Sequence, residues 1–468
     1  MEQFSGRISP EEAQLAEYAL ETSLKAGASG VRVKLGKSVM DLYMLLNGDL
    51  DKVTHSADRA MTFSIFADGR YGIFSTNRLD REQLEPFLKS AVETVRMLAP
   101  DKFRRLPDPS RLVRTAATGL EMGLYDPAYE EMTAEKRLAT LFGASVYSKI
   151  AGAEEVPLGC KTNSKAGGCP HADFKIISEE TEYSDSVSDQ LVLDSGGLRA
   201  RQTDTSFDLG CEMTVQGADG AKYSGYWWES SLRDGFDMSG VCSKALERAL
   251  SQMNPRDVPG GRYNVVVEPS VGSKLVNPVL AALDGFALQQ QNSFLLDSLG
   301  KKLFSEGLSI IDRPCEPGRY GAKLYDSEGV AASNRPIIEA GIVKEYFINT
   351  YISGKLGMAP TLSDALRPCL AQFGTASTRD ELMALCGDGI LITGFNGGNS
   401  NSATGDFSYG IEGFLFKDGL ILHPVRELVM TGNFISLWSS LLGAGNDARP
   451  CMSKQIPSLA FSGVDISA

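Results

Sequence analysis

The 468-residue chain has no CxxC pair, only three histidines, and no excess of positive charge. Each of these shortfalls removes a class of function. The eight cysteines stand at 160, 169, 211, 242, 315, 369, 386 and 451. Zinc sites usually pair their cysteines about two to four residues apart, so a paired-cysteine zinc module is excluded. The nearest approach is "CKTNSKAGGCPH", which gathers Cys160, Cys169 and His171 and is expected to be a flexible loop. In a reducing compartment the cysteines are expected as free thiols, most of them buried as small apolar side chains. The histidines, at 55, 171 and 423, are too far apart in the sequence for an HExxH pair. No GxSxG elbow is present, which removes the usual serine-hydrolase signature.

Lys and Arg total 46 against 59 Asp and Glu, a net charge of −13. A dedicated nucleic-acid binder needs basic surface to displace counterions, so that class is not expected. No apolar run approaches the ~20 residues of a membrane helix. The start "MEQFSGRISPEEAQ" has neither the basic nor the apolar region of a signal peptide, and a cytoplasmic location is the expectation. Two glycine-rich stretches fail on context. "GVRVKLGKS" spaces Gly30 and Gly36 six apart, where the phosphate loop needs five, and it is expected as a hairpin with an exposed Lys37. "GAGNDA" (443–448) follows a helix, whereas the dinucleotide fingerprint follows a strand.

What is present is a regular alternation of elements. "SPEEAQLAEYALETSLKAG" opens with a capping box, Ser9 to Glu12, with Pro10 in the first helical position. Strand patterns follow, with a hairpin at Asp68-Gly69. A second helix carries Leu84, Phe87, Leu88, Ala91, Val95 and Leu98 on one face and Asp80 near its start. The stretch "DKFRRLPDPSRLVR" (101–114) is expected as a solvated hinge. A helix at "MTAEKRLATLFGASVYSK" and a run of hairpin-linked strands come next, then the helix "SGVCSKALERALSQM" and the boundary "NPRDVPGGR" (254–262). Beyond it, short strands and Gly-rich turns predominate, with helices at "LVNPVLAAL" (275–283), "ISGKLGM", "STRDELMALC" and "FISLWSSLL".

The expected fold is α+β. An N-terminal α/β region spans 1–254, with subdomains of about 1–105 and 115–254. A mostly antiparallel β domain spans 258–468. Of the isolated candidates for chemistry, His423 in "GLILHPVREL" is expected to be structural. Trp227 and Trp228 must face opposite sides of a strand, so one is expected in the core and only the other could meet a ligand.

"GAKLYDSEGVAASNRPIIEAGIVKEYFINTYISGKLG" and "TGDFSYGIEGFLFKDGLILHPVRELVMTGN", with "GND" (445–447) and Cys451 downstream, resemble the TldD/PmbA family, once described as modulators of DNA gyrase. "FADGRYGIFSTNRLDREQLEPFLKSAVETVR" fits the family's first domain, so the resemblance covers nearly the whole chain. In the TldD-like branch a helix carries HExxxH, whose histidines bind zinc and whose Glu is expected to act as general base. A cysteine near the C-terminus adds a ligand. The motif falls here on "NPVLAA", so its three functional positions are Asn277, Pro278 and Ala282. Pro and Ala offer neither a metal ligand nor a proton acceptor, and an amide is a poor zinc ligand.

The stretch "NSFLLDSLGKKL" (292–303) further resembles the PmbA or TldE branch. That resemblance implies a non-catalytic subunit with no metal or other cofactor of its own. It would pair with a TldD-like HExxxH subunit, or with itself as a homodimer, around a chamber for unfolded or modified linear peptides. No nucleic-acid or membrane partner is expected. Cys451, Asn446 and Asp447 are the candidate cleft residues. Two other readings stand beside this one. The first is a regulator that binds gyrase or a toxin–antitoxin component without proteolysis. The second is a hydrolase using Cys451 as nucleophile.

Overall fold

A computed structural model describes residues 6–150 and 174–468. Cys160, Cys169 and His171 lie outside the described residues.

The N-terminal half is built on one sheet. Helix α1 (Pro10–Lys25) leads into β1 (Gly30–Leu46), β2 (Asp49–Ala67), β3 (Arg70–Thr76) and helix α2 (Arg81–Met97). After α3 (Ala134–Ala144) and the short α4 (Tyr147–Ile150) come β4 (Phe174–Asp194), β5 (Arg199–Gly217), β6 (Lys222–Ser231) and α5 (Val241–Ser251). The six strands run β3-β2-β1-β4-β5-β6, all antiparallel. The segments on either side of residues 101–114 thus share one sheet, since β1 and β4 pair from Arg32↔Asp194 to Leu46↔Glu180.

Local sequence explains the turns and helix starts. Asn47-Gly48 and Asp68-Gly69 both take positive φ at two successive positions, the geometry a two-residue hairpin demands. The capping box of α1 forms as expected: Ser9 Oγ accepts from Glu12 N–H, and the Glu12 carboxylate accepts from Ser9 N–H at 2.8 Å.

Along β1 and β4 the odd-numbered residues face the helices. At one end Val31, Val33, Leu35, Leu191 and Leu193 form an apolar core with α1 and α2. At the other, Val39, Tyr43, Leu45, Tyr183 and Val187 form a second with α3 and α5. Between them lies a band of buried charge. Lys37 is 8 % exposed and donates to Glu12 at 3.0 Å, beside Arg59 at 2.8 Å. The expectation of a hairpin with an exposed Lys37 is therefore corrected: "GVRVKLGKS" is continuous strand and its lysine points inward. Asp41 and Asp185 are direct cross-strand partners. Their repulsion is offset by Arg137, whose guanidinium lies 3.1 Å from Asp41 and 2.7 Å from Asp185.

Burial pushes the Glu12 carboxyl upward, but the hydrogen bonds from Arg59, Ser9 N–H and Lys37 outweigh it and the net shift is downward. A carboxyl depressed in the fold stabilises it above the unfolded pKa, about 4.3, and loses that contribution as pH falls through the folded value. Gln at the same position can still close the capping box. E12Q should therefore cost about 1–2 kcal/mol at neutral pH. The gap from wild type should close below about pH 4, as read by urea unfolding at both pH values.

The stretch 101–114 is not a solvated hinge. Arg104 stacks on Tyr351 at 3.6 Å, Tyr351 Oη donates to Asp101 at 2.9 Å, and Arg111 donates to the Thr361 carbonyl at 2.5 Å. Leu112 is buried and bridges to Val330. The prolines stiffen a strap whose side chains bind it to the C-terminal half.

That half begins with β7 (Gly261–Val267), α6 (Ser273–Ala282) and α7 (Gly285–Gln289). A four-stranded sheet follows, ordered β10-β9-β8-β11, from β8 (Ile310–Asp312), β9 (Arg335–Glu339), β10 (Ile342–Val343) and β11 (Pro368–Leu370), with α8 (Thr350–Leu356) inserted. After α9 (Arg379–Cys386) come β12 (Gly389–Phe395), β13 (Asn399–Ser400), β14 (Asp406–Lys417) and β15 (Leu420–Asn433). Helix α10 (Phe434–Ser439), β16 (Leu441–Ala444) and β17 (Leu459–Ser467) complete the chain. The larger sheet runs β12-β7-β17-β15-β14-β13, and β12 also pairs with β14, so five strands close a ring. The strands of this half pair antiparallel except for β12 against β7, apart from isolated parallel bridges such as Cys369 to Gln455. Helix α10 stops before Leu441, where the expected helix "FISLWSSLL" continued, because Leu441–Ala444 pairs with β17 instead. Helices accompany mainly antiparallel sheets in both halves, as an α+β fold requires. Among the described residues no helix is long and apolar enough to cross a membrane.

Candidate functional site

Helix α6 forms because "SKLVNPVLAA" puts Leu275, Val276, Val279, Leu280 and Ala282 on a face that packs into the large C-terminal core. Asn277 sits on the outer face and is exposed. Its amide oxygen accepts from the Lys454 ammonium. Pro278 has no donor atom, and Ala282 is 2 % exposed, its methyl in the core. These three residues do not fit a zinc ion. They offer one amide oxygen, already occupied by a cation, where a metal would need imidazoles. Among the described residues no group of three His, Cys, Asp or Glu side chains could hold a metal.

The Lys454 contact comes from a segment paired beside β11. Gln455 bridges to Cys369, and strand alternation then puts Lys454 and Ile456 on the α6 side. The Ile456 side chain packs on Gly272 at the start of α6. Burial pushes the Lys454 ammonium below the usual lysine range.

Cys451 faces elsewhere. It is 8 % exposed and lies beside Glu229, Ser230 and Arg449. Burial raises its thiol and the nearby Arg449 charge only partly offsets that, which is the opposite of an activated thiolate.

Asn446 and Asp447, adjacent in sequence, line different cavities. Asp447 borders one of about 660 Å³ between α5 and the C-terminal ring, with Trp227, Arg248, Glu268, Arg379 and His423. Its carboxylate accepts from Ser458 N–H at 2.8 Å, Ser458 Oγ at 2.7 Å and Arg379 N–H at 3.1 Å. Asn446 borders a cavity of about 640 Å³ on the side of β11.

The first cavity is organised around Glu268, which ends the apolar strand "VVV" just before α6. Its buried carboxylate accepts from Arg248 at 3.0 Å and from Arg379 at 3.0 Å. Arg248 arrives on α5, which lies directly on β6. A Cβ at Gly225 would meet Ala245 O and Ala249 N at 2.3 Å each, so only glycine permits this approach. His423 Nδ1 donates to the Pro424 carbonyl at 3.0 Å, which occupies that nitrogen structurally.

Trp227 and Trp228 are both partly buried, and Trp227 packs against the core formed with α3 and α5, in line with the expectation that one of the pair serves the core. Both rings flank the Arg449 guanidinium, at 4.0 and 4.2 Å, and Arg449 also pairs with Glu229 at 3.1 Å. Lys454, Arg449, Arg248 and Arg379 were not singled out in the sequence, where arginine and lysine are too common to stand out. Glu268 left a readable signal: a carboxylate directly after the apolar run Val265–Val267 needs a buried partner.

Two family models match the chain. The PmbA/TldA metallopeptidase central domain covers residues 160–253 and the PmbA/TldA metallopeptidase C-terminal domain covers 260–468. The Haemophilus influenzae metalloprotease PmbA homolog is 25% identical, over 97% of this chain and 95% of its own. Metalloprotease PmbA of Escherichia coli O157:H7 is 23% identical, over 97% and 98%. Among solved structures, a proposed modulator of DNA gyrase from Bacteroides thetaiotaomicron superposes with a TM-score of 0.89 at 37% identity, covering 98% of this chain and 100% of that one. TldE from Thermococcus kodakarensis shares the fold at TM-score 0.81 and 16% identity, over 97% and 100%. With family models matching residues 160–253 and 260–468 and a 37% identical structure aligned along nearly its whole length, the chain belongs to the PmbA/TldD metallopeptidase family.

Proposed function

We propose that this protein is a non-catalytic, metal-less subunit of a TldD/TldE-type peptidase complex that degrades or trims unfolded or modified peptides. The observation that carries the reading is at α6. The helix that would present a metal site is kept, with Asn277, Pro278 and Ala282 in place of metal and proton chemistry and Lys454 bonded to Asn277. An ammonium at that position repels a dication by direct Coulomb interaction. Catalysis then belongs to a partner that carries HExxxH. This chain supplies a folded wall and the cavities beside the 445–450 turn that hold the peptide.

Purified alone, the chain should contain no stoichiometric zinc and cleave no peptide. Mixed with a TldD-like chain bearing an intact HExxxH, it should co-purify and peptide cleavage should appear. One tightly held zinc per chain by elemental analysis, with cleavage by the isolated protein, would overturn the assignment. A gyrase subunit co-purifying in place of a TldD-like chain would overturn it in favour of a regulator.

A further inference from the structure

The cavity on the β11 side of the 445–450 turn has an unbalanced lining. Three guanidiniums, Arg313, Arg319 and Arg367, face a single carboxylate, Glu316, and no other charged side chain lines it. Arg367 is 4 % exposed. It is held in place by Glu316 at 2.6 Å, the Tyr320 carbonyl at 3.1 Å and the Arg313 carbonyl at 3.3 Å. Arg313 reaches the same Glu316 only at 3.9 Å. Arg319 is exposed and has no carboxylate partner among the described residues. One anion is thus shared by two guanidiniums while a third has none, so the concave wall carries a net positive charge.

The remaining lining suits the end of a peptide. Leu370, Ala371, Ala448, Pro450 and Pro457 supply apolar and small surface for a last side chain. The exposed Asn446 amide, on the same wall, can bond a peptide group. Guanidiniums match a carboxylate through two parallel N–H bonds, a planar fit that a lone lysine cannot give. We propose that this cavity takes the free C-terminal carboxylate of a peptide client, bound by Arg319 and Arg313 over the fixed Arg367. The proposal rests on the peptide-holding role above and adds to it a preference for an unblocked C-terminus. It is separate from the outer face of α6.

The test uses the full chain and two fluorescein-labelled unstructured peptides of one sequence, one ending in a carboxylate and the other in an amide. Fluorescence anisotropy should show the amide binding about tenfold more weakly, the size expected for losing a charge-assisted pair. R319Q and R313Q should each shrink that ratio toward one, and R262Q, a far exposed arginine, should leave it intact. Circular dichroism of each variant checks the fold. If both peptides bind wild type equally, the carboxylate site is overturned and the peptide-holding role stands. If neither binds, the peptide-holding role itself falls. Displacement of the two peptides by inorganic phosphate with equal ease would show a general anion site and overturn the proposal as well.

Discussion

Replacing Glu268 by alanine should destabilise the protein by about 3–5 kcal/mol, the loss expected when one member of a buried charge network is removed and the others remain. The carboxylate side chain is 8 % exposed and neutralises two guanidiniums from different elements, Arg248 on α5 and Arg379 on α9. Without it Arg248 keeps only the Thr393 carbonyl at 3.0 Å as an acceptor, and Arg379 keeps the more exposed Asp380 at 2.9 Å. Ser270 Oγ, 3.2 Å from the same carboxylate, loses its acceptor too. E268Q should be nearly as harmful, because the amide keeps the shape but not the charge. The double variant R248M/E268L should recover part of the loss, since removing both charges also removes the desolvation penalty. Urea unfolding of the four proteins makes the comparison. A loss below about 1 kcal/mol for E268A would mean that the triad is solvated and contributes as a surface pair does.

The position of Glu268 also bears on function. Its own N–H donates to Ile392 O at 3.1 Å, and its carbonyl accepts from Gly272 N–H at 3.0 Å, at the approach to α6. The triad therefore fixes α5, α9 and the entry to α6 to one another. A change at Glu268 should disturb the start of α6 and the cavity beside it together.

Much of the fold was legible because its signals are local. Ser9, Pro10 and Glu12 specified the start of α1 within four residues, and the apolar face of "SKLVNPVLAA" specified α6. What sequence alone did not yield depends on partners far along the chain. The strap at 101–114 reads as solvated until Tyr351 and Thr361, some 250 residues on, supply its contacts. Lys37 reads as exposed because lysine rarely points inward, and the ion pair with the largely covered Glu12 carboxylate helps make that arrangement tolerable. The site divides in the same way. That Asn277, Pro278 and Ala282 carry no imidazole, thiol or carboxylate is plain in the sequence. The Lys454 contact to Asn277 spans 177 residues and follows only from the alternation around Gln455. Asn446 and Asp447 read as one loop, yet the backbone sends them to two cavities.

Asp447 should prove to be a structural clamp, and D447A should cost about 3 kcal/mol of stability. The carboxylate accepts two bonds from Ser458 and one from the Arg379 N–H. Arg379 opens α9, so Asp447 satisfies one of that helix's first N–H groups. Each bond to a charged group contributes about 1.5–3 kcal/mol, so three would give about 4.5 kcal/mol at the least, and partial solvent access to this site brings the net to about 3 kcal/mol. Asn at 447 retains one acceptor oxygen and can keep the Ser458 N–H bond, so D447N should recover at least half of the loss. A catalytic carboxylate would behave differently, because D447N would fold normally and abolish turnover in the reconstituted complex. Parallel thermal unfolding and peptide cleavage by the complex separate the two roles. Activity that follows the folded fraction supports the clamp, and full stability of D447N with no cleavage would place Asp447 in the chemistry.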